Sequence, residues 1–144
     1  MLKTHENNET IPPRLTAGKT VLVIDDDPDF LLQHEMLLKR SGFEVVTADS
    51  CDAAKAILEK QQPDLAIVDV MMETADAGFT LCYHIKKRYP DTPVIMVTSV
   101  NSETGFDFDN VTQQQRSWIK ADAFLAKPIR YEQLNQQVER LLGD

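Results

Sequence analysis

The chain has 144 residues, of which 15 are Lys or Arg and 23 are Asp or Glu, so its formal net charge is -8 at pH 7. This length fits one ordinary domain. The acidic balance argues against a nucleic acid or a membrane surface as partner, because both attract clustered positive charge. The sequence has no apolar run long enough to span a bilayer and no signal-peptide core. With only two cysteines, the composition predicts a cytoplasmic protein.

The first residues of the chain differ in composition from the rest. Residues 1–18 are polar, contain Pro12-Pro13 and show no sustained period of 2 or 3.6 residues. A segment with so little apolar surface is typical of disordered chain ends. We therefore expect a flexible N-terminal tail over residues 1–18 and one domain over residues 19–144.

Beyond the tail, short apolar runs alternate with helical patterns. The apolar runs predict strands at residues 20–24, 43–48, 65–68, 93–97 and 123–126. Apolar residues recurring at helical spacing predict helices that begin at Pro28, at Asp49 or Ser50, at Gly78 and at Tyr131. Residues 99–120 are too polar and interrupted for a full amphipathic helix, so we expect a long loop there with at most a short helix.

The alternation of strand and helix predicts an α/β fold with a doubly wound, five-stranded parallel sheet. In such sheets ligands bind beyond the carboxyl ends of the strands, which makes the residues after each strand informative. They are Asp25, Asp26 and Asp27 after the first strand, Asp69 after the third, Thr98 after the fourth and Lys127 after the fifth.

Carboxylates and an ammonium group at one sheet edge indicate phosphate chemistry with a metal ion. Neighbouring carboxylates raise one another's pKa unless a cation intervenes. Mg²⁺ prefers oxygen ligands and is commonly held by one or two carboxylates together with phosphate oxygens. A carboxylate can also be the nucleophile that forms an aspartyl phosphate. A lysine, a hydroxyl and Mg²⁺ would then neutralise the phosphoryl oxygens.

Four segments carry a resemblance to a known family. VLVIDDDPDF, LAIVDVMM, VIMVTS and FLAKPI occur in this order at the predicted strand ends, and together they resemble the signatures of the receiver domain of two-component response regulators. The resemblance covers about residues 19–142 and implies a flavodoxin-like (βα)5 fold. Thr98 precedes Lys127 by 29 residues, several more than is usual in that family. The surplus falls in residues 100–118, so we expect an atypical fourth helix region.

The resemblance also assigns metal and phosphoryl ligands to individual residues. It implies that Asp69 is the phosphoacceptor and that Asp26 is a direct Mg²⁺ ligand. Asp25 would bind the ion mainly through water, and Asp69 with the backbone carbonyl of Met71 would complete the protein ligands.

Residues after the fourth and fifth strands take further roles by the same resemblance. Thr98 would bond a phosphoryl oxygen, Lys127 would pair with the phosphoryl group, and the peptide bond between Lys127 and Pro128 would be cis. Phe124 occupies the position of an aromatic residue that turns inward on activation. The resemblance therefore implies a switch formed by Thr98 and Phe124.

The function implied by the resemblance is signalling rather than the turnover of a substrate. A histidine kinase or a phosphotransfer protein would donate the phosphoryl group, and an unknown downstream protein would recognise the altered surface. Activity would be limited to phosphotransfer and slow self-dephosphorylation. The sequence stops at Asp144, directly after the last predicted helix, so we expect a stand-alone receiver without an attached output domain.

Two other classes of function stay open at this stage. Asp25 and Asp27 form an Asp-x-Asp motif after a strand, as in small phosphatases of the haloacid dehalogenase type, in which Asp25 would be the nucleophile. The other class is a phosphorylation-independent, receiver-like binding module. Mapping the acyl phosphate formed with acetyl phosphate and Mg²⁺ would separate these possibilities.

Overall fold

A computed structural model of the chain describes residues 11–72, 77–99 and 120–143. Within these residues the strands are β1 (Thr20–Ile24), β2 (Glu44–Ala48), β3 (Leu65–Asp69), β4 (Val94–Ser99) and β5 (Ala123–Lys127). The helices are α1 (Pro13–Thr16), α2 (Pro28–Arg40), α3 (Cys51–Lys60), α4 (Ala77–Arg88) and α5 (Tyr131–Leu142). All five predicted strands are confirmed, with small shifts of their ends.

The strands form one parallel sheet in the order β2-β1-β3-β4-β5. Strand β1 pairs with β2 on one side and with β3 on the other, so the direction of winding reverses at this point. In doubly wound sheets the ligand crevice lies outside the carboxyl ends of the strands at such a switch point. The predicted α/β, doubly wound, flavodoxin-like sheet is therefore confirmed. Its topology predicts a ligand site at the carboxyl ends of β1 and β3.

Polar side chains at the strand ends start the helices. The carboxylate of Asp27 accepts a hydrogen bond from the N–H of Asp29 at 3.0 Å, and Pro28 occupies the first turn of α2, where its missing N–H costs nothing. The hydroxyl of Ser50 accepts a hydrogen bond from the N–H of Ala53 at 3.1 Å and caps α3. These caps turn the chain back over the sheet directly after β1 and β2.

Each face of the sheet buries one apolar cluster. On one face the strands pack against α2 and α5, with a cluster that includes Val21, Val23, Phe30, Leu38, Leu65, Ile67, Ile95, Val97, Leu125, Leu134 and Val138. On the other face they pack against α3 and α4, with a cluster that includes Leu22, Ile24, Ala54, Leu58, Ala66, Val68, Leu81, Ile85 and Met96. Helices on both faces explain why the central strands are apolar without alternation.

The segment around α1 is not part of a loosely attached tail, and this part of the prediction is wrong. Ile11 and Leu15 are only 2% and 7% exposed and join the cluster that contains α2 and α5. The hydroxyl of Thr16 donates a hydrogen bond to the carbonyl of Ser41 at 2.8 Å. Two apolar residues four positions apart are too short a pattern to indicate packing in a sequence. Residues 1–10 of the predicted tail lie outside the described residues.

The predicted long loop between the fourth and fifth strands also lies outside the described residues, which stop at Ser99 and resume at Lys120. Among the helices of the described ranges, none has the length and apolarity needed to cross a membrane.

Candidate functional site

Three carboxylates meet at the carboxyl edge of the sheet. Asp25 and Asp26 follow β1, and Asp69 is the last residue of β3. Each side chain offers one carboxylate oxygen, and these oxygens all lie within 4.8 Å of one another. Asp25 is fully buried and Asp69 is 5% exposed, whereas Asp26 is exposed at the rim. The fold thus brings together the acids that the sequence predicted at the ends of separate strands.

Asp25 is held in place by contacts on both sides. Its Oδ1 atom accepts a hydrogen bond from the N–H of Asp27 at 2.9 Å, and its own N–H donates to the carbonyl of Ala48 at 3.1 Å. Its Oδ2 atom forms an ion pair with the Nζ atom of Lys127 at 2.8 Å. Asp25 therefore contributes a fixed negative charge to the interior of the site.

Asp69 lies beside this pair on the neighbouring strand. Its Oδ1 atom accepts a hydrogen bond from the N–H of Met71 at 3.3 Å, and its Oδ2 atom lies 3.7 Å from the Nζ atom of Lys127. The N-terminus of α4 packs directly on the backbone here, because a Cβ atom at Gly78 would overlap the backbone of Asp69 and Val70. The close approach of this glycine fixes where the Asp69 carboxylate is presented.

The electrostatics of the site are unbalanced towards negative charge. Burial raises the pKa of Asp69 to about 7, and the charge of Asp25 adds to this effect. Lys127 and the N–H of Met71 oppose it. Burial would lower the pKa of Lys127, but the carboxylates of Asp25 and Asp69 outweigh burial and raise it, so this lysine stays protonated at neutral pH.

The donor set fits a hard divalent cation. Asp25, Asp26 and Asp69 offer only oxygen atoms, the ligands that Mg²⁺ prefers. Burial and the charge of Asp25 keep the pKa of Asp69 raised although Lys127 lowers it. An added dication would favour the ionised carboxylate and bring the pKa of Asp69 down.

Of two further predicted residues, Thr98 lies at the same edge of the sheet, and Phe124 lies near the start of β5. Thr98 is 1% exposed and pairs in register with Ala126 of β5, next to Lys127. Phe124 is half-buried and packs against the apolar cluster on the side of α3 and α4. The peptide bond between Lys127 and Pro128 is cis, as predicted.

Two residues of helix α2 that no sequence motif indicated lie behind the site. The ring of Phe30 lies 4.5 Å from the Nζ atom of Lys127, and the ring of His34 stacks on Phe30 at 3.9 Å between centroids. His34 has no ligand pattern around it in the sequence. His34 follows Phe30 by four residues in the predicted helix after the acids, and residues at this spacing are neighbours on one helix face. This spacing could have indicated that the two rings are in contact.

Comparison with known proteins identifies the family of this chain. A family model described as the response regulator receiver domain matches residues 21–139. The chain belongs to this family. The match includes the acids described above and the strands from Val21 onward, and it favours a receiver over a haloacid dehalogenase-type phosphatase.

Curated relatives of this receiver are response regulators. The heme response regulator HssR of Staphylococcus aureus strain JH9 is 35% identical over 122 residues, which are 84% of this chain and 50% of that protein. The same protein of strain USA300 matches with the same identity and coverage. This receiver thus spans about half the length of the curated relatives it matches.

Solved structures show the same fold. A response regulator receiver domain from Clostridium thermocellum aligns with a TM-score of 0.72 and 28% identity, covering 86% of this chain and 94% of that one. The response regulator TrrA from Thermotoga maritima, in a complex with Mg(2+)-BeF, aligns with a TM-score of 0.70 and 27% identity, covering 86% and 99%. A structural relative of this receiver has therefore been crystallised with a magnesium ion and a fluoroberyllate group.

Proposed function

We propose that this receiver accepts a phosphoryl group on Asp69 from a histidine kinase or a phosphotransfer protein, and that the phosphorylated form signals to a downstream protein. The observation that carries the proposal is the arrangement of Asp69, which has two other carboxylates within 4.8 Å and the Nζ atom of Lys127 at 3.7 Å. A buried carboxylate beside a fixed cation is a nucleophile placed where transferred negative charge can be neutralised.

The reaction would use the ionised form of Asp69. One carboxylate oxygen attacks the phosphorus of a phosphohistidine, and the new O–P bond forms as the P–N bond breaks. The electron pair of the P–N bond stays on that ring nitrogen, and a proton on the other ring nitrogen lets the imidazole leave as a neutral group. Because the pKa of Asp69 is raised to about 7, any nearby positive charge increases the reactive fraction at neutral pH. Lys127 already acts in this direction.

Lys127 would change partner during the reaction. In this structure its Nζ atom is closer to Asp25, at 2.8 Å, than to Asp69, at 3.7 Å. A phosphoryl group on Asp69 adds negative charge on the side of the longer contact, so the ammonium would move towards it. The hydroxyl of Thr98, at the end of the adjacent strand, would donate a hydrogen bond to a phosphoryl oxygen.

We further propose that Mg²⁺ binds at the acidic cluster. Asp25, Asp26 and Asp69 would hold it, with the backbone carbonyl of Met71 as an additional ligand. When bound, the ion would neutralise carboxylate and phosphoryl oxygens and favour the ionised form of Asp69.

The output would begin at the same strand ends. Movement of Thr98 towards the phosphoryl group would open space on the side of β4 that faces Phe124, and Phe124 would turn inward behind it. This is a shift between two populated conformations rather than a new fold. The surface change would be recognised by the downstream protein.

Labelling with acetyl phosphate tests the proposal. Wild type should form an acid-stable, hydroxylamine-sensitive acyl phosphate in the presence of Mg²⁺, and Asp69→Asn should form none because an amide is not a nucleophile. Asp26→Asn should label slowly, since one of several metal ligands is lost. If Asp69→Asn labels normally while Asp25→Asn does not, the phosphatase alternative replaces the proposal.

A further inference from the structure

The ammonium group of Lys127 has a third neighbour besides the two acids. Its Nζ atom lies 4.5 Å from the centroid of the Phe30 ring, within the range of a cation–π contact. Phe30 is 8% exposed and belongs to the first turn of α2, the helix that begins directly after the acidic residues. The ring is therefore a fixed, apolar wall on one side of the cation.

The ring is itself held by its neighbour on the next turn of α2. The His34 ring stacks on Phe30 at 3.9 Å and 22° between planes, and its Nδ1 atom lies 3.0 Å from the carbonyl oxygen of Phe30. His34 is 5% exposed, and burial lowers its pKa. The imidazole is therefore neutral at neutral pH, with Nδ1–H donating to that carbonyl, and it places no second cation against the Phe30 ring.

We propose that Phe30 is a positioning residue for Lys127 and that His34 fixes the Phe30 ring; this inference rests on the proposed function. A cation–π contact attracts an ammonium through its charge and needs no acceptor atom, and the ammonium has three N–H donors. Lys127 can thus pivot from Asp25 towards a phosphoryl group on Asp69 while the ring keeps it at the sheet edge. A purely aliphatic wall would exclude water but would not attract the cation.

The variant Phe30→Leu removes the ring and keeps an apolar side chain, whereas Phe30→Tyr keeps the ring. The variant His34→Leu keeps Phe30 but removes the stacked imidazole. The variant Phe43→Leu is the matched control, because Phe43 is a buried phenylalanine of the same apolar cluster that precedes β2 at the opposite edge of the sheet. It reports what the loss of a core ring does in general.

Two measurements on the full chain separate this inference from the proposed function. The first is the acylation rate of Lys127 by acetic anhydride without metal or phosphodonor, quantified by mass spectrometry against Lys39 in the same sample. The second is the affinity for beryllofluoride in the presence of Mg²⁺. From the usual strength of cation–π contacts, Phe30→Leu should change both values by roughly 3- to 30-fold, with faster acylation and weaker binding.

Comparison of the variants tests whether Phe30 positions Lys127. We expect Phe30→Tyr to resemble wild type, His34→Leu to fall between wild type and Phe30→Leu, and Phe43→Leu to lose stability without changing either measurement. Wild-type acylation of Lys127 in Phe30→Leu, or an equal change in Phe43→Leu, would overturn the inference even if beryllofluoride binds. If wild type binds no beryllofluoride, the proposed function fails, and the acylation rates still decide the role of Phe30.

Discussion

The Nζ atom of Lys127 lies 2.8 Å from the Oδ2 atom of the fully buried Asp25, so the cation is held beside the proposed phosphoacceptor rather than on it. Asp69 lies at the longer distance of 3.7 Å and keeps a raised pKa of about 7. In the unphosphorylated protein the ammonium of Lys127 therefore pairs mainly with Asp25. It can move from there to a new anionic partner on Asp69.

The first prediction follows from this arrangement. Replacing the ammonium in Lys127→Met should slow labelling by acetyl phosphate by roughly 100-fold, because one of the groups that neutralise the phosphoryl oxygens is lost. The initial rate of acyl phosphate formation measures this effect. Lys39→Met is the control, since Lys39 is exposed and pairs with Glu35 on the surface of α2, and surface ion pairs contribute little. Equal rates in the two variants would exclude Lys127 from the transfer.

The second prediction concerns stability and pH in EDTA. The pKa of Asp69 rises from 3.8 to about 7 on folding, so its protonated form stabilises the fold below pH 4, and this contribution is lost as the pH rises to 7. Asp69→Asn cannot ionise, so it does not lose this contribution. The free energy of unfolding of the variant minus that of wild type should be about 1–3 kcal/mol larger at pH 8 than at pH 4.

Urea unfolding at the two pH values measures this difference, with the exposed Asp52→Asn as control. Added Mg²⁺ should stabilise wild type and reduce the advantage of Asp69→Asn, because the ion binds the folded carboxylates. A stability difference that is independent of pH would show that Asp69 is not destabilised by its surroundings.

The third prediction tests how α4 presents the phosphoacceptor. The Cβ atom in Gly78→Ala would overlap the backbone of Asp69 and Val70, so the helix must shift, and we expect a loss of about 1–3 kcal/mol together with weaker Mg²⁺ binding. Gly18→Ala is the control, because Gly18 has a φ of +76° with open space around it. That variant should lose stability through backbone strain and keep the wild-type Mg²⁺ affinity.

The fourth prediction concerns the segment that the sequence assigned to a tail. Leu15 is 7% exposed within the core, so Leu15→Ala should destabilise the protein by about 2–4 kcal/mol. Leu32→Ala should change stability by less than about 0.5 kcal/mol, because Leu32 is 58% exposed. Urea unfolding of the two variants checks both values, and a Leu15→Ala as stable as Leu32→Ala would mean that α1 contributes nothing to the fold.

The sequence predicted the parts of this fold that repeat a long physical pattern. Continuous apolar runs such as residues 20–24 required burial on both faces, and acids at their ends, such as Asp25 and Asp69, had to meet at one edge. It could not predict the packing of Ile11 and Leu15, since two apolar residues carry no period. Nor could it predict the contact of Lys127 with Phe30, which depends on side-chain directions set only when α2 packs on the sheet.

The role of Asp69 as phosphoacceptor is the central proposal, and chemical mapping of the modified residue tests it most directly. Wild type would be phosphorylated with acetyl phosphate and Mg²⁺, reduced with borohydride, which converts an aspartyl phosphate to homoserine, and analysed by peptide mass spectrometry. We expect homoserine at position 69 and at no other aspartate of wild type, and none in Asp69→Asn. Homoserine at position 25 or 26 in wild type, with position 69 unchanged, would contradict it.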